Sequence, residues 1–275
     1  MHKRIFSSPK YPPIGGISTY TNTLIDEASE ALSDLVRFEP VFLNEAIAQQ
    51  LTSDNKTVRF RGALASLERP LSEFMLVKYG SPSVTGERTT LELPIFESYL
   101  ADIKRIPHLK SSTFIELLES IATDANKESV KLRSELNVIT KPDHLGDYWQ
   151  FLDWRHVKSE LIKLHSFLKF GYANNLPSCF LAPVFIGAFN CIHPFRDGNG
   201  RTGRIVFNGL IQIHIDEANR FYIPMKEFMG LSSHGFDLAM RESILFGRWS
   251  TLIVYCCRVI IIMKKRLESD SNFLW

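Results

Sequence analysis

Between His193 and Arg204 the chain reads HPFRDGNGRTGR, which places a histidine, an aspartate, a Gly-Asn-Gly turn and two arginines within one short stretch. Gly198 and Gly200 allow the backbone to approach an anion closely and to turn its N–H groups toward it. A helix that starts directly after the turn adds unpaired N–H groups and the positive end of its dipole. Arg201 and Arg204, three residues apart, reach the same side of that helix, and each can hold a phosphate with a fork of donors. Asp197 supplies the single hard-oxygen ligand that Mg²⁺ commonly takes beside phosphate oxygens. His193 has an ordinary pKa near neutrality and suits the role of general base. The combination predicts phosphoryl or nucleotidyl transfer, with His193 taking a proton from an attacking hydroxyl.

Each part also has a plainer use. A Gly-Asn-Gly turn is more often only a turn, and a histidine at a helix end is more often a cap or a core residue. The arginines tip the balance. Two cations in the first turn of a helix oppose its macrodipole, so they call for an anion. No GxxxxGK[ST] loop occurs, and the lysine and HRD set of protein kinases is also missing. Phe195 reads as a core anchor for the loop, Thr202 and Gly203 as small residues for close packing, and Arg196 as solvent-facing.

The elements around this stretch must hold it rigidly. Leu181 to Ile192 is apolar nearly all round, as expected for a helix at the centre of a bundle, with Pro183 placed in its first turn. Ile205, Val206, Leu210, Ile211 and Ile213 mark a second buried helix beginning near Arg201. Helical spacing also covers Thr23–Leu35, Leu43–Leu51 and Trp154–Phe170, and from Pro94 onward Phe96, Tyr99, Leu100 and Ile103 form one stripe and Phe114, Leu117, Leu118 and Ile121 the next. Residues 1–20, rich in Pro and Gly, read as an irregular lead-in, and Gly80–Thr90 as a linker or exposed loop. Lys131–Thr140 suits a short strand pair.

The chain has 275 residues, 45% hydrophobic and 23% charged, with a formal net charge of +2. These are ordinary globular proportions and lack the concentrated positive charge that nucleic-acid binding needs. Cys179, Cys191, Cys256 and Cys257 form no CxxC pair and lie in apolar stretches, so buried thiols of a reducing compartment are expected. The basic start lacks the apolar run of about 7–15 residues of a signal peptide. Thr251–Met263 is interrupted by Arg258 and falls short of the roughly 20 residues of a membrane span. A cytoplasmic protein without nucleic-acid or membrane partners follows as the expectation.

The sequence HPFRDGNGRTGR resembles the signature HxFx[DE]GNGRxxR of the Fic family, and every fixed position is matched. A weaker likeness spans about residues 110–265, including Gly247-Arg248-Trp249, which is similar to the family's "GDW" region. The resemblance implies a mainly α Fic-type helical bundle with a small β-hairpin flap, divided into a helical N-terminal region (1–105), a catalytic core (106–268) and a C-terminal tail (269–275). It also implies protein AMPylation: an Mg²⁺-dependent nucleotidyltransferase moving AMP from ATP to a Ser, Thr or Tyr hydroxyl of a target protein and releasing pyrophosphate. His193 would then be the base and Asp197 the Mg²⁺ ligand. Gly198, Asn199 and Gly200 would form the anion hole, Arg201 would bind the β-phosphate and Arg204 the γ-phosphate. The flap that docks the target by strand addition would lie at Arg133–Thr140. Transfer of another nucleotidyl or phosphate-containing group, removal of AMP, and a non-catalytic ATP-binding interaction module are the competing readings.

Family members with the motif [ST]xxxE[GN] inhibit themselves through its glutamate, which pairs with the last arginine of the signature. Thr23…Glu27, Ser83…Glu87 and Ser112…Glu116 have the spacing, but Ala28, Arg88 and Leu117 follow where Gly or Asn belongs. The sequence therefore gives no support to inhibition in cis and leaves room for a separate inhibitor protein.

Overall fold

The computed structural model describes residues 3–5, 8–13, 18–35, 87–135, 148–216, 220–231 and 235–271. The described chain is mainly α-helical. Its helices are α1 (Thr19–Leu35), α2 (Glu87–Lys104), α3 (Ser111–Asn126), α4 (Trp154–Ala173), α5 (Ser178–Ile192), α6 (Asn199–Ile211), α7 (Met225–Leu231), α8 (Gly235–Phe246) and α9 (Ser250–Ser271). Two short strands, β1 (Lys3–Ile5) and β2 (Tyr148–Gln150), pair in parallel with Lys3 opposite Tyr148.

Helix α5 is the hub of the bundle because nearly every one of its side chains is apolar. It packs on α1, α4, α6, α8 and α9, and its Phe185, Ile186 and Phe189 are fully buried. Burying each such side chain contributes roughly 1.5–3 kcal/mol. Pro183 sits at the sixth residue of α5, in the second turn and not in the first as the sequence suggested. A proline there leaves the carbonyl of Cys179 without its helical donor. The Cys257 thiol of α9 points its hydrogen at that oxygen, at 3.9 Å. All four cysteines are free and buried, and burial pushes the Cys179 and Cys191 thiols up to about 12, which keeps them protonated and inert.

Helix α9 is a core helix: Leu252 to Met263 is buried throughout, and Arg258 is accommodated by donating to the Tyr20 hydroxyl at 2.9 Å. Among the described residues no helix is long and apolar enough to cross a membrane. One continuous apolar core contains Leu24, Ile25 and Leu32 of α1 together with Phe96 of α2 and the helices around α5.

Three local expectations are corrected. The N-terminal segment is packed: Pro9 and Pro12 are buried, the Tyr11 ring stacks on Phe167 with centroids 5.0 Å apart, and the Trp249 indole donates to the Lys10 carbonyl. Helix α2 begins at Glu87, seven residues before Pro94, so Glu87–Thr90 belongs to a helix and not to a linker. A proline inside a helix usually ends or kinks it, which is why the pattern read as starting there. Within the expected strand pair, residues 131–135 are irregular, and the strand that does form, β2, pairs with the N-terminus. Residues 136–140 of the expected flap and the Leu43–Leu51 helix lie outside the described residues.

Candidate active site

His193 is the residue that ends α5. Its backbone is left-handed, at φ 49° and ψ 61°, and its N–H bonds the Phe189 carbonyl at 2.9 Å. A non-glycine residue held in this conformation is unusual and requires support from its surroundings. Nδ1 lies 3.3 Å from the Asn190 carbonyl, a group that can only accept, so Nδ1 carries the proton and Nε2 is left as the basic nitrogen. The imidazole stacks flat on Phe151, with ring centroids 3.6 Å apart and planes 7° from parallel. Burial, aided by the nearby Arg133 guanidinium, holds the His193 pKa down to about 4. The ring is therefore neutral near pH 7, as a general base must be before it acts.

The loop between α5 and α6 is fixed from inside. Phe195 is fully buried and meets Phe189 edge-on at 6.1 Å. Asn199 is buried; its Oδ1 accepts from the Phe195 N–H at 2.9 Å and its Nδ2 donates to the Phe195 carbonyl at 2.8 Å. Its side chain is thus a staple across the loop. What Asn199 can offer an anion is its backbone N–H. That group and those of Gly200 and Arg201 precede the first helical bond of α6, from Thr202 N–H to the Gly198 carbonyl at 2.9 Å. Gly198 has φ +85°, and a Cβ there would overlap the Asn126 amide. Gly200 lies close to Arg204, whose Nη1 would stand 3.1 Å from an added Cβ.

Asp197 is mostly exposed. One oxygen accepts from the Gly198 N–H at 2.6 Å and the other from Arg201 Nη2 at 3.1 Å. Among the described residues there is no cluster of three or more His, Cys, Asp or Glu side chains that could hold a metal. A cation here would rest on this one carboxylate, with phosphate oxygens and water completing its shell, a donor set that suits Mg²⁺. Arg201 also donates to the Ala125 carbonyl at 2.7 Å and to Asn126 Oδ1 at the end of α3.

Arg204 holds an unexpected partner. Glu92, one turn into α2, accepts from Arg204 Nε with both oxygens, at 3.2 and 3.1 Å, and from Nη2 with Oε1. Both side chains are almost wholly buried, at 9% and 3% exposure. The Tyr222 hydroxyl donates to Glu92 Oε2 at 2.8 Å. Tyr222 is delivered by the extended segment 221–224, which α6 holds through two amide side chains. Asn208 bonds both polar backbone groups of Ile223, and Gln212 bonds both of Phe221. The anion that two arginines in a first turn require is supplied in part by the chain itself. The sequence offers no support for a glutamate in cis on the last arginine, and the structure places one there. Glu92 lacks the [ST]xxxE[GN] context, with Arg88 and Leu93 at the two defining positions, and no motif search finds it.

A cleft of about 280 Å³ opens beside these groups; its lining includes His193, Asn190, Gly200 and Arg204, the apolar Phe151, Met229, Phe236 and Met240, and the charged Asp237 and Arg241. Arg133, expected in the flap, is instead buried beneath His193. The structure therefore brings His193, Gly200 and Arg204 to one cleft, while Asp197 and Arg201, bonded to each other, are not among its lining residues.

Residues 116–211, from α3 to the end of α6, match the family model "Fic/DOC family". The fold is similar to that of a Fic family protein from Desulfovibrio desulfuricans G20, at TM-score 0.60 and 14% identity, covering 96% of this chain and 78% of that one. It is also similar to Fic-1 from C. elegans, at TM-score 0.56 and 13% identity, covering 93% of this chain and 74% of that one. No curated protein sequence matches the chain. Residues 116–211 thus carry a match to the Fic/DOC family, and the mainly helical fold of the described chain is similar to that of Fic proteins.

Proposed function

We propose that the protein is an adenylyltransferase that moves AMP from ATP onto a Ser, Thr or Tyr hydroxyl of a target protein. The observation that carries this reading is a neutral imidazole, His193, on the same cleft as Gly200 and Arg204, where Phe151, Met229, Phe236 and Met240 add apolar lining that suits a nucleobase. The triphosphate lies over the N-terminus of α6, where the N–H groups of Asn199, Gly200 and Arg201 face its oxygens. Nε2 of His193 takes the proton of the target hydroxyl as its oxygen bonds the α-phosphorus. The bond from the α-phosphorus to the bridging oxygen breaks, and pyrophosphate leaves with that electron pair. Asp197 is the side chain that would hold Mg²⁺, and the ion neutralises phosphate charge when bound. In this reading Glu92 competes with the γ-phosphate for Arg204 and holds the enzyme at a low basal rate. The stretch Arg133–Thr140 is the proposed docking place for the target.

The test is transfer from ATP labelled at the α- or the γ-phosphate, in a lysate, by the Glu92→Ala chain. Label retained on protein from the α-position alone is the expected result. Label from the γ-position would establish phosphoryl transfer. Tight ATP binding with no transfer from either would establish a binding module.

A further inference from the structure

Arg133 makes a set of contacts that neither the signature nor the cleft explains. Its guanidinium and its own N–H bind three successive carbonyls at the end of α5. Nη2 donates to Ile192 at 3.3 Å, Nε to His193 at 2.7 Å, and the backbone N–H to Pro194 at 2.9 Å. The guanidinium also donates to the Leu152 carbonyl through Nη2 and to the Glu135 carbonyl at 3.0 Å through Nη1. The side chain is buried, at 6% exposure.

We infer that Arg133 is a positioning residue for the catalytic base, fixing the His193 imidazole from both its sides. On one side it binds the carbonyl of His193 itself, in the left-handed conformation that the residue cannot hold cheaply by itself. On the other it binds Leu152, the neighbour of Phe151, whose ring lies flat on the imidazole. One guanidinium thus sets the backbone that carries the ring and the backbone that carries its stacking partner. The choice of arginine follows from this geometry. The last carbonyls of a helix lack intrahelical donors and carry the negative end of the dipole, so a buried cation with five N–H donors satisfies several at once. A lysine offers a point charge without the planar fork. The fifth bond, to Glu135, fixes the backbone just past Arg133 to the same clamp.

The inference rests on the proposed adenylyl transfer, and its test separates the two. In the Glu92→Ala background, Arg133→Met is expected to lower kcat by roughly tenfold or more, the scale on which small misplacement of a reacting group acts. KM for ATP and the Kd of a non-hydrolysable ATP analogue stay unchanged, and Arg133→Lys recovers part of kcat. An unchanged kcat in a folded Arg133→Met chain overturns the inference, as does a fall in ATP affinity that matches the fall in kcat. The imidazole resonances of His193, assigned by NMR, need no turnover. They are expected to shift or broaden in Arg133→Met, and unmoved resonances would also overturn it. If the Glu92→Ala parent transfers no label, the adenylyl-transfer reading fails while the resonance test of the clamp stands.

Discussion

The carboxylate of Glu92 and the guanidinium of Arg204 form a buried fork-to-fork pair between α2 and the first turn of α6, with the Tyr222 hydroxyl closing the remaining side of the carboxylate. An arginine committed in this way is withheld from any phosphate that approaches the same helix end. The pair is also almost wholly buried, which makes the loss of either partner costly to the other.

Replacing Glu92 by Ala leaves the Arg204 charge buried and unpaired. Loss of one partner of a buried pair costs on the order of 3–5 kcal/mol, so the melting temperature without nucleotide is expected to fall. ATP supplies a new anion, so the fall should largely reverse on adding ATP while transfer rises about tenfold or more. Thermal melts with and without ATP, beside α-label transfer, check both halves. A variant that is destabilised equally in both conditions and transfers no faster would show that Glu92 is only structural.

Tyr222→Phe removes one hydrogen bond to a charged acceptor, of the kind that contributes about 1.5–3 kcal/mol. The Glu92 pair with Arg204 remains, so release should be partial, with transfer above wild type and below Glu92→Ala. Rates for the three chains at one ATP concentration decide this, and a Tyr222→Phe rate at or below wild type would contradict it.

Depression of the His193 pKa to about 4 fixes a pH dependence. The free enzyme keeps a neutral base down to that range, so the acid limb of kcat/KM is expected well below pH 6.5. The stability effect has the same sign. Between about pH 6.5 and 4 the unfolded chain binds a proton that the folded ring refuses, so this group's contribution falls as pH drops through that window. His193→Asn should flatten that part of the stability profile, and a limb at pH 6.5 or above in the transfer profile would contradict the burial argument.

Gly198 is held at φ +85° against Asn126. Alanine there faces a left-handed penalty of about 1–2 kcal/mol in addition to the overlap. Gly198→Ala should lower the urea midpoint by a corresponding amount and sharply reduce transfer. Full transfer by this variant would mean that the turn has no need of its geometry.

Removing divalent cations with EDTA should abolish transfer, and Asp197→Asn should raise the Mg²⁺ concentration needed for half-maximal rate. Asp197 is the carboxylate beside the Gly-Asn-Gly turn, so an unchanged Mg²⁺ requirement in Asp197→Asn would remove it as the ion's ligand.

Much of the molecule is legible in its residues taken in order. The all-round apolar run of α5, the stripes of α2, α3 and α4, and the buried Thr251–Met263 stretch follow from helical periodicity, since a packed face must repeat with the turn of the helix. His193, Gly198 and Arg204 could be singled out because their chemistry depends on local spacing in one loop and one helix turn. The start of α2 was hidden because Pro94 masks the helix that runs through it, and Glu92 was hidden with it. The stapling role of the Asn199 side chain was not legible, because a side chain's direction depends on what the loop closes upon.

What the tertiary structure alone decided is which groups meet across the chain. Glu92 reaches Arg204 over 112 positions through the packing of two helices whose faces are specified only as apolar, and Arg133, on an irregular segment, reaches His193 over 60. Hydrophobic patterning is non-directional and says that a face is buried, not against what. The polar partner of a buried charge is therefore fixed by the packing of the whole bundle, and no local spacing encodes it.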